Sequence, residues 1–167
     1  MAKVVKGRMS AQIEGDFVVF MIGMRPNKVW MPNKWLPVAK PMATMQKALL
    51  EHPELGCLAI RNWMGFTTLS VQYWRSFEHL DTFARDKSLP HLEPWREFNR
   101  RVRDSGDVGI WHETYVVKAG NYEAVYGNMP RFGLAQAGEH VKAGGVGNTA
   151  ARRIGATDTD DPAVETY

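Results

Sequence analysis

The pattern of apolar and polar positions predicts four strands. Residues 17–24, FVVFMIGM, are apolar at both parities and rich in strand-favouring types, which predicts a strand covered on both faces. Residues 57–63, CLAIRNW, and 67–74, TTLSVQYW, predict two more strands, and Gly65 between them suits a tight turn. Residues 109–117, GIWHETYVV, predict the fourth.

Two helices alternate with these strands. The first has one apolar face at spacings of three and four, formed by Trp35, Val38, Met42, Met45 and Leu49. Asn33 is its predicted N-cap, and Pro41 predicts either a kink or a helix that begins near residue 40. Ser76 is the predicted N-cap of the second helix, which Pro90 interrupts and which resumes at Pro94.

The resulting order, β-α-β-β-α-β, predicts a ferredoxin-like α+β fold with four antiparallel strands and both helices on one face. Several strands are apolar at both parities, so the other face also needs cover. We expect a second copy of the sheet to supply it, which makes a homodimer in the form of a dimeric α/β barrel. The predicted organisation has four parts. A polar lead-in at 1–16, with a short strand near 9–13, precedes the domain at 17–118. An extended arm at 119–141 packs on the domain or the dimer partner, and a flexible tail follows at 142–167.

The fourth strand places two polar residues, His112 and Glu113, in an apolar setting. Neighbouring side chains of a strand point to opposite faces. At most one of the two therefore faces the helices directly. We predict that His112 does so, with Trp111 and Glu113 on the dimer side.

Composition and charge exclude several function classes. The net charge of +3 is too small to indicate nucleic-acid binding, and the arginines at 96, 100, 101 and 103 alternate with acids, as on a solvated helix face. Cys57 is the only cysteine, so neither an internal disulfide nor a cysteine metal site is expected. The start lacks a secretory signal, and the longest apolar run is too short to cross a bilayer. The expected location is the cytoplasm, with no membrane partner.

Two motifs that suggest ligands do not meet their requirements. GGVGNT at 144–149 is like the end of a phosphate-binding loop, but Asn148 occupies the lysine position and the sequence predicts no strand before it. None of the five histidines falls in a known metal-ligand spacing, so no metal site is predicted.

An apolar pocket between sheet and helices is the better candidate, since the chain has six Trp and nine Met. The polar and aromatic residues that could line it are Arg25, Asn27, Gln72, Tyr73, Trp74, His91 and His112. Each also has a structural interpretation. Tyr73 and Trp74 could be core or interface aromatics, His91 could pack against Trp95, and Gln72 could bond a neighbouring strand.

A longer stretch carries a family resemblance. VQYWRSFEHLDTFARD, followed by HLEPWREFNRRVRDSGDVGIWHETYVVKAGNYEAVYGNMPRFGL, resembles the fumagillin-pathway monooxygenase-like proteins of the antibiotic-biosynthesis monooxygenase superfamily of dimeric α/β barrels. The resemblance extends back to FMIGMRPNKVW and covers roughly residues 17–138.

The resemblance implies two kinds of chemistry. Some members oxygenate polyketide or quinol substrates without metal or flavin. Others bind haem, including haem-degrading monooxygenases and aldoxime dehydratases. In the haem-degrading members a histidine of the second helix is the axial ligand and a tryptophan at the end of the third strand lies near the porphyrin. Trp74 matches that tryptophan, and His91 is the nearest match to the histidine, although Pro90 and Pro94 flank it.

We therefore expect a monooxygenase-like enzyme for a small apolar or aromatic substrate. His112 is the predicted general base or acid, and Arg25 or Asn27 is predicted to hold an anionic oxygen. Tyr73, Trp74 and Trp95 are predicted to wall the pocket, with Gln72 as a further binding residue. The alternatives are a haem-binding protein of the aldoxime-dehydratase type, with His91 as axial ligand, and a non-catalytic dimer that binds a small ligand.

Overall fold

The structure is a computed structural model, and it describes residues 2–86, 96 and 105–164. These residues form two compact units, one from Val18–Tyr115 and the other from Met1–Phe17 with Val116–Tyr167. No helix of the described residues is both long and apolar enough to span a membrane.

The first unit is built on a four-stranded sheet. Its strands are β2 (Phe17–Pro26), β3 (Cys57–Trp63), β4 (Leu69–Trp74) and β5 (Val108–Val117). They lie in the order β3-β4-β2-β5, and β4 pairs antiparallel with both β2 and β3. This order is that of a ferredoxin-like sheet. The α+β prediction with antiparallel strands is therefore confirmed.

The helix α1 (Pro32–Glu51) differs from the prediction at its start. Met31, not Asn33, occupies the N-cap position, and the helix begins well before residue 40. The first turn of the helix tolerates Pro32, because a backbone N–H at that position would have no partner within the helix. The helix continues past Pro41, since its apolar residues farther on, such as Met45 and Leu49, pack into the core.

The helix α2 (Phe77–Arg85) begins where predicted. The Ser76 hydroxyl accepts a hydrogen bond from the His79 backbone N–H, as an N-cap does. Asp81 and Arg85 form an ion pair one turn apart at 2.8 Å.

The core of this unit lies between the sheet and the two helices. It consists of Val18 from β2, Trp74 from β4, Leu49 from α1, and Leu80 and Phe83 from α2. Trp74 is fully buried, and its ring centroid lies 5.4 Å from that of Phe83.

The second unit has its own three-stranded sheet, in the order β6-β1-β7. Its strands are β1 (Arg8–Gln12), β6 (Tyr126–Gly127) and β7 (Glu139–Lys142), and its short helices are α3 (Leu134–Ala137) and α4 (Ala150–Arg153). Both β6 and β7 pair antiparallel with β1. The segment predicted as an arm thus contributes two strands to this sheet.

Side-chain contacts fasten the second unit from within. The Tyr122 ring meets the Phe17 ring edge-on at 5.3 Å, and its hydroxyl accepts from the Ile13 N–H. Within the predicted tail, the Asp160 carboxylate accepts from the backbone N–H groups of Asn148 and Thr149, which holds its pKa below the ordinary value.

Candidate functional site

The register of the four-stranded sheet assigns its side chains to two faces. Gln72 lies opposite Phe20 on β2 and opposite Ile60 on β3. Phe20 and Ile60 both pack against the core formed with the helices. Side chains of a strand alternate, so Ser70, Gln72 and Trp74 share this helix-facing side.

His112 lies on the same side. Its ring centroid is 5.8 Å from that of Phe20. The imidazole is exposed, as are the four residues that follow it on β5. The structure therefore places an accessible imidazole next to an aromatic ring on the helix-facing side, the side predicted for His112.

Its neighbours on β5 face the other way. Trp111 Nε1 approaches Gly23 so closely that it would lie 2.6 Å from a Cβ there. Gly23 follows Phe20 by three residues on β2, and side chains alternate along a strand, so Gly23 belongs to the opposite face. Tyr115 donates a hydrogen bond of 2.6 Å to Glu113, and this carboxylate raises the pKa of Tyr115.

Gln72 and Trp74 form a buried hydrogen-bonded pair. The Trp74 indole N–H donates to Gln72 Oε1 at 3.0 Å, and the two residues are 0% and 1% exposed. Because an indole N–H can only donate, this contact fixes which end of the carboxamide is oxygen. The amide nitrogen, Gln72 Nε2, is buried and has no hydrogen-bond partner among the described residues.

A polar network that the sequence did not reveal adjoins this pair. The Gln46 amide of α1 donates to Ser70 Oγ at 3.0 Å and exchanges hydrogen bonds with Asn62 of β3. Ser70 is buried and precedes Gln72 by two residues. The only sequence signal is that Ser70, Gln72 and Trp74 alternate along β4 and therefore lie on one face. This pattern does not identify Gln46 of α1 as the partner of Ser70.

Three other predicted site residues are not brought to His112. Alternation places Arg25 and Tyr73 on the opposite face of the sheet. The Arg25 guanidinium lies 4.7 Å over the Phe66 ring. Asn27 donates to the Gly106 carbonyl at 3.0 Å, which ties the end of β2 to the loop before β5.

His91 and Trp95 lie outside the described residues. Two other histidines of this unit are engaged in local contacts. His52 Nδ1 lies 2.8 Å from Glu54, and His79 Nδ1 lies 2.9 Å from the Ser76 hydroxyl. Over residues 2–86, 96 and 105–164, no three His, Cys, Asp or Glu side chains are grouped so that they could hold a metal ion.

Cys57 lies on the helix-facing side, opposite Trp74. Burial raises the pKa of its thiol to about 12. The thiol therefore stays protonated at neutral pH and is poorly suited to act as a nucleophile.

A cavity of about 210 Å³ lies beside α2. Leu55 and Phe83 form its apolar part, and its carboxylates come from Glu54, Glu78 and Asp86. It does not include His112, Gln72 or Trp74.

The strand order and the flanking helices define a ferredoxin-like α+β protein. The chain belongs to the Monooxygenase af470-like family, whose model matches residues 17–134. A curated relative, Monooxygenase af470 of Aspergillus fumigatus, is 34% identical over 149 residues, which is 77% of this chain and 53% of that protein. The chain thus spans about half the length of the curated relative that it matches.

Solved structures with the same fold include two aldoxime dehydratases. One, crystallised in complex with butyraldoxime, has a TM-score of 0.60 and 17% identity, covering 82% of this chain and 42% of the other. The second has a TM-score of 0.58 and 19% identity, covering 82% and 43%. At these identities the likeness concerns the fold.

Proposed function

We propose that this protein is a monooxygenase-like oxidoreductase for a small aromatic or apolar substrate, with His112 as the general base. One observation carries the proposal. The exposed imidazole lies beside Phe20 on the same face of the sheet as the buried pair of Gln72 and Trp74. Membership of a monooxygenase-like family supports the reaction class.

The proposed reaction begins with proton transfer. Histidine side chains titrate near neutral pH, where they can accept a proton from an acidic C–H or O–H group. Phe20 supplies an aromatic surface next to the imidazole. A substrate ring stacked there would hold its acidic group within reach of the base.

The electrons come from the substrate itself. Loss of the proton leaves an electron-rich anion, which reduces dioxygen. One oxygen atom ends as a new C=O on the former CH2 carbon and the other leaves as water, so that R–CH2–R plus O2 gives R–CO–R plus H2O. His112 returns its proton to the departing oxygen.

Oxygen consumption tests the role of His112. With 1,8-dihydroxyanthrone as the probe, we expect His112→Ala to lower kcat/KM by about 100-fold or more, since general bases contribute at least that much. Glu113→Gln, on the opposite face of the same strand, is the matched control and should stay within about twofold. Added imidazole should restore part of the rate to His112→Gly.

Two outcomes would contradict the proposal. Equal rates for His112→Ala and the unmodified protein would remove His112 from the mechanism. Tight binding of the probe without oxygen consumption in the unmodified protein would instead favour a non-catalytic ligand-binding protein.

A haem-dependent lyase is the second proposal, because the solved structures with this fold include aldoxime dehydratases. The described residues do not complete a haem site. His112 is the one imidazole among the described side chains on the helix-facing side of the sheet, His79 of α2 is bonded to Ser76, and the Trp74 N–H is already bonded to Gln72. The predicted axial ligand, His91, lies outside the described residues.

An absorption spectrum with and without added haemin separates the two proposals. A Soret band that vanishes in His91→Ala and persists in His52→Ala would support haem binding. A protein that stays colourless after incubation with haemin and gel filtration would exclude it.

A further inference from the structure

Gln72 carries a structural feature that folding alone does not explain. Its carboxamide is buried, its oxygen accepts from the Trp74 indole, and its amide nitrogen has no acceptor among the described residues. Buried polar groups in proteins are nearly always paired, because an unpaired donor loses its hydrogen bonds to water without replacement. A hydrophobic side chain of similar size would fill this position without that loss.

The unpaired donor and the proposed base are both neighbours of Phe20. Gln72 pairs with Phe20 across the two strands, and the ring of Phe20 is 5.8 Å from that of His112. Phe20 therefore separates the two polar groups on one face of the sheet. An aromatic molecule stacked on Phe20 could meet the imidazole at one edge and the amide nitrogen at the other.

We propose that Gln72 Nε2 is the hydrogen-bond donor that recognises a carbonyl or phenolic oxygen of the substrate. Trp74 is then a positioning residue, because its indole N–H holds the oxygen of the carboxamide and leaves the nitrogen as the unpaired end. This inference rests on the proposed function, since it assigns a substrate class to the same site.

The surroundings select the kind of oxygen. The Cα partners of Gln72 are the apolar residues Phe20 and Ile60, and Trp74 follows on the same face. The polar groups next to Gln72, such as the Ser70 hydroxyl and the Gln46 amide, are neutral, so a carboxylate or phosphate would lose its hydration here without an opposite charge beside the donor. A ketone, quinone or phenol loses much less, so an aromatic compound with such an oxygen fits better.

A pair of nearly isosteric ligands tests the proposal. 2-Acetylnaphthalene has a carbonyl oxygen, and 2-isopropenylnaphthalene has a CH2 group in its place. Isothermal titration calorimetry should show that the protein binds the ketone about tenfold more tightly, which corresponds to one net hydrogen bond at the upper end of the usual range.

Variants assign the preference to the donor. Gln72→Met keeps the length of the side chain and should reduce the ketone preference to about one. Trp74→Phe should weaken the preference through loss of orientation, while Val71→Ala, on the opposite face, should leave it unchanged.

The outcomes separate this inference from the proposed function. A ketone preference that persists in Gln72→Met, or that is absent from the unmodified protein, overturns the inference even if oxygen consumption still depends on His112. A preference lost in Gln72→Met supports the inference even if no oxygen is consumed. If neither ligand binds, the assigned substrate class is wrong.

Discussion

At the scale of single residues, the strand that carries His112 shows how one glycine decides which chemistry a face can offer. β5 is apolar at both parities, so its sequence alone does not state which side chains face the helices. Gly23 resolves this: a Cβ there would lie 1.9 Å from the Thr68 carbonyl oxygen and 2.6 Å from Trp111 Nε1. The absence of a side chain admits Trp111 to that face, and alternation then directs His112 to the other.

The Ser76 cap gives a prediction on a single side chain. Ser76→Ala removes the acceptor of the His79 N–H, so we expect a loss of about 1 kcal/mol in the free energy of unfolding. Urea denaturation measures it. Ser76→Asn is the control, because Asn also caps helices and should recover most of the loss. If Ser76→Ala and Ser76→Asn unfold at the same urea concentration, the cap contributes nothing.

Some site residues could be predicted from the sequence and others could not, for a physical reason. Alternation along a recognisable strand separates His112 from Trp111 and Glu113, but the close approach of Trp111 to Gly23 decides which face each takes. Arg25 and Asn27 follow the predicted strand at 17–24, but their partners, Phe66 and the Gly106 carbonyl, lie in loops far along the chain. Such pairings depend on tertiary packing, which local pattern does not encode.

At the scale of elements, the strands followed their patterns closely and the helix start did not. The strand predicted at 57–63 matches β3, and the strand predicted at 67–74 begins two residues before β4 and ends with it. The predicted N-cap of α1, Asn33, is two residues past the observed one, Met31, and the alternative start near residue 40, which follows from Pro41 as a helix breaker, is wrong. Packing of Met45 and Leu49 into the core favours a continuous helix enough to tolerate the proline.

An ion-pair cluster joins the start of α1 to the start of β5 and predicts a pH dependence. Asp107 lies 2.5 Å from Lys28 and 3.4 Å from Lys34, and the hydrogen bond from the Lys28 ammonium contributes most to lowering the pKa of Asp107. A carboxyl with a lowered folded-state pKa contributes stability above its unfolded pKa of about 4 and loses it as the pH falls through the folded value.

Asp107→Asn should therefore destabilise the protein at pH 6 and have no effect well below pH 3. Urea denaturation at several pH values measures the difference from the unmodified protein. Asp81→Asn, which breaks the more exposed pair with Arg85, is the control and should show a smaller effect at pH 6. A difference that stays constant from pH 6 to pH 2 would contradict the ionic explanation.

At the scale of the whole molecule, the sheet has one face toward the helices and one that still carries large apolar side chains. Tyr115 and Trp63 belong to this second face and are 50% and 42% exposed. Val19, Val71 and Tyr73 lie on it as well, because they alternate along β2 and β4 with the residues that face the helices. Large exposed apolar patches commonly mark association surfaces, so we propose that a second copy of the chain packs on this face.

Light scattering at micromolar concentration tests the homodimer, which should have twice the mass of the chain. Tyr115→Lys adds a charge to the second face at an exposed position, so the fold should tolerate it while the dimer dissociates. Leu50→Lys adds the same charge at an exposed position of α1 and should leave the dimer intact. The proposal fails if the unmodified chain is monomeric, or if both variants dissociate equally, because a general effect of charge would then explain the result as well as a buried sheet face.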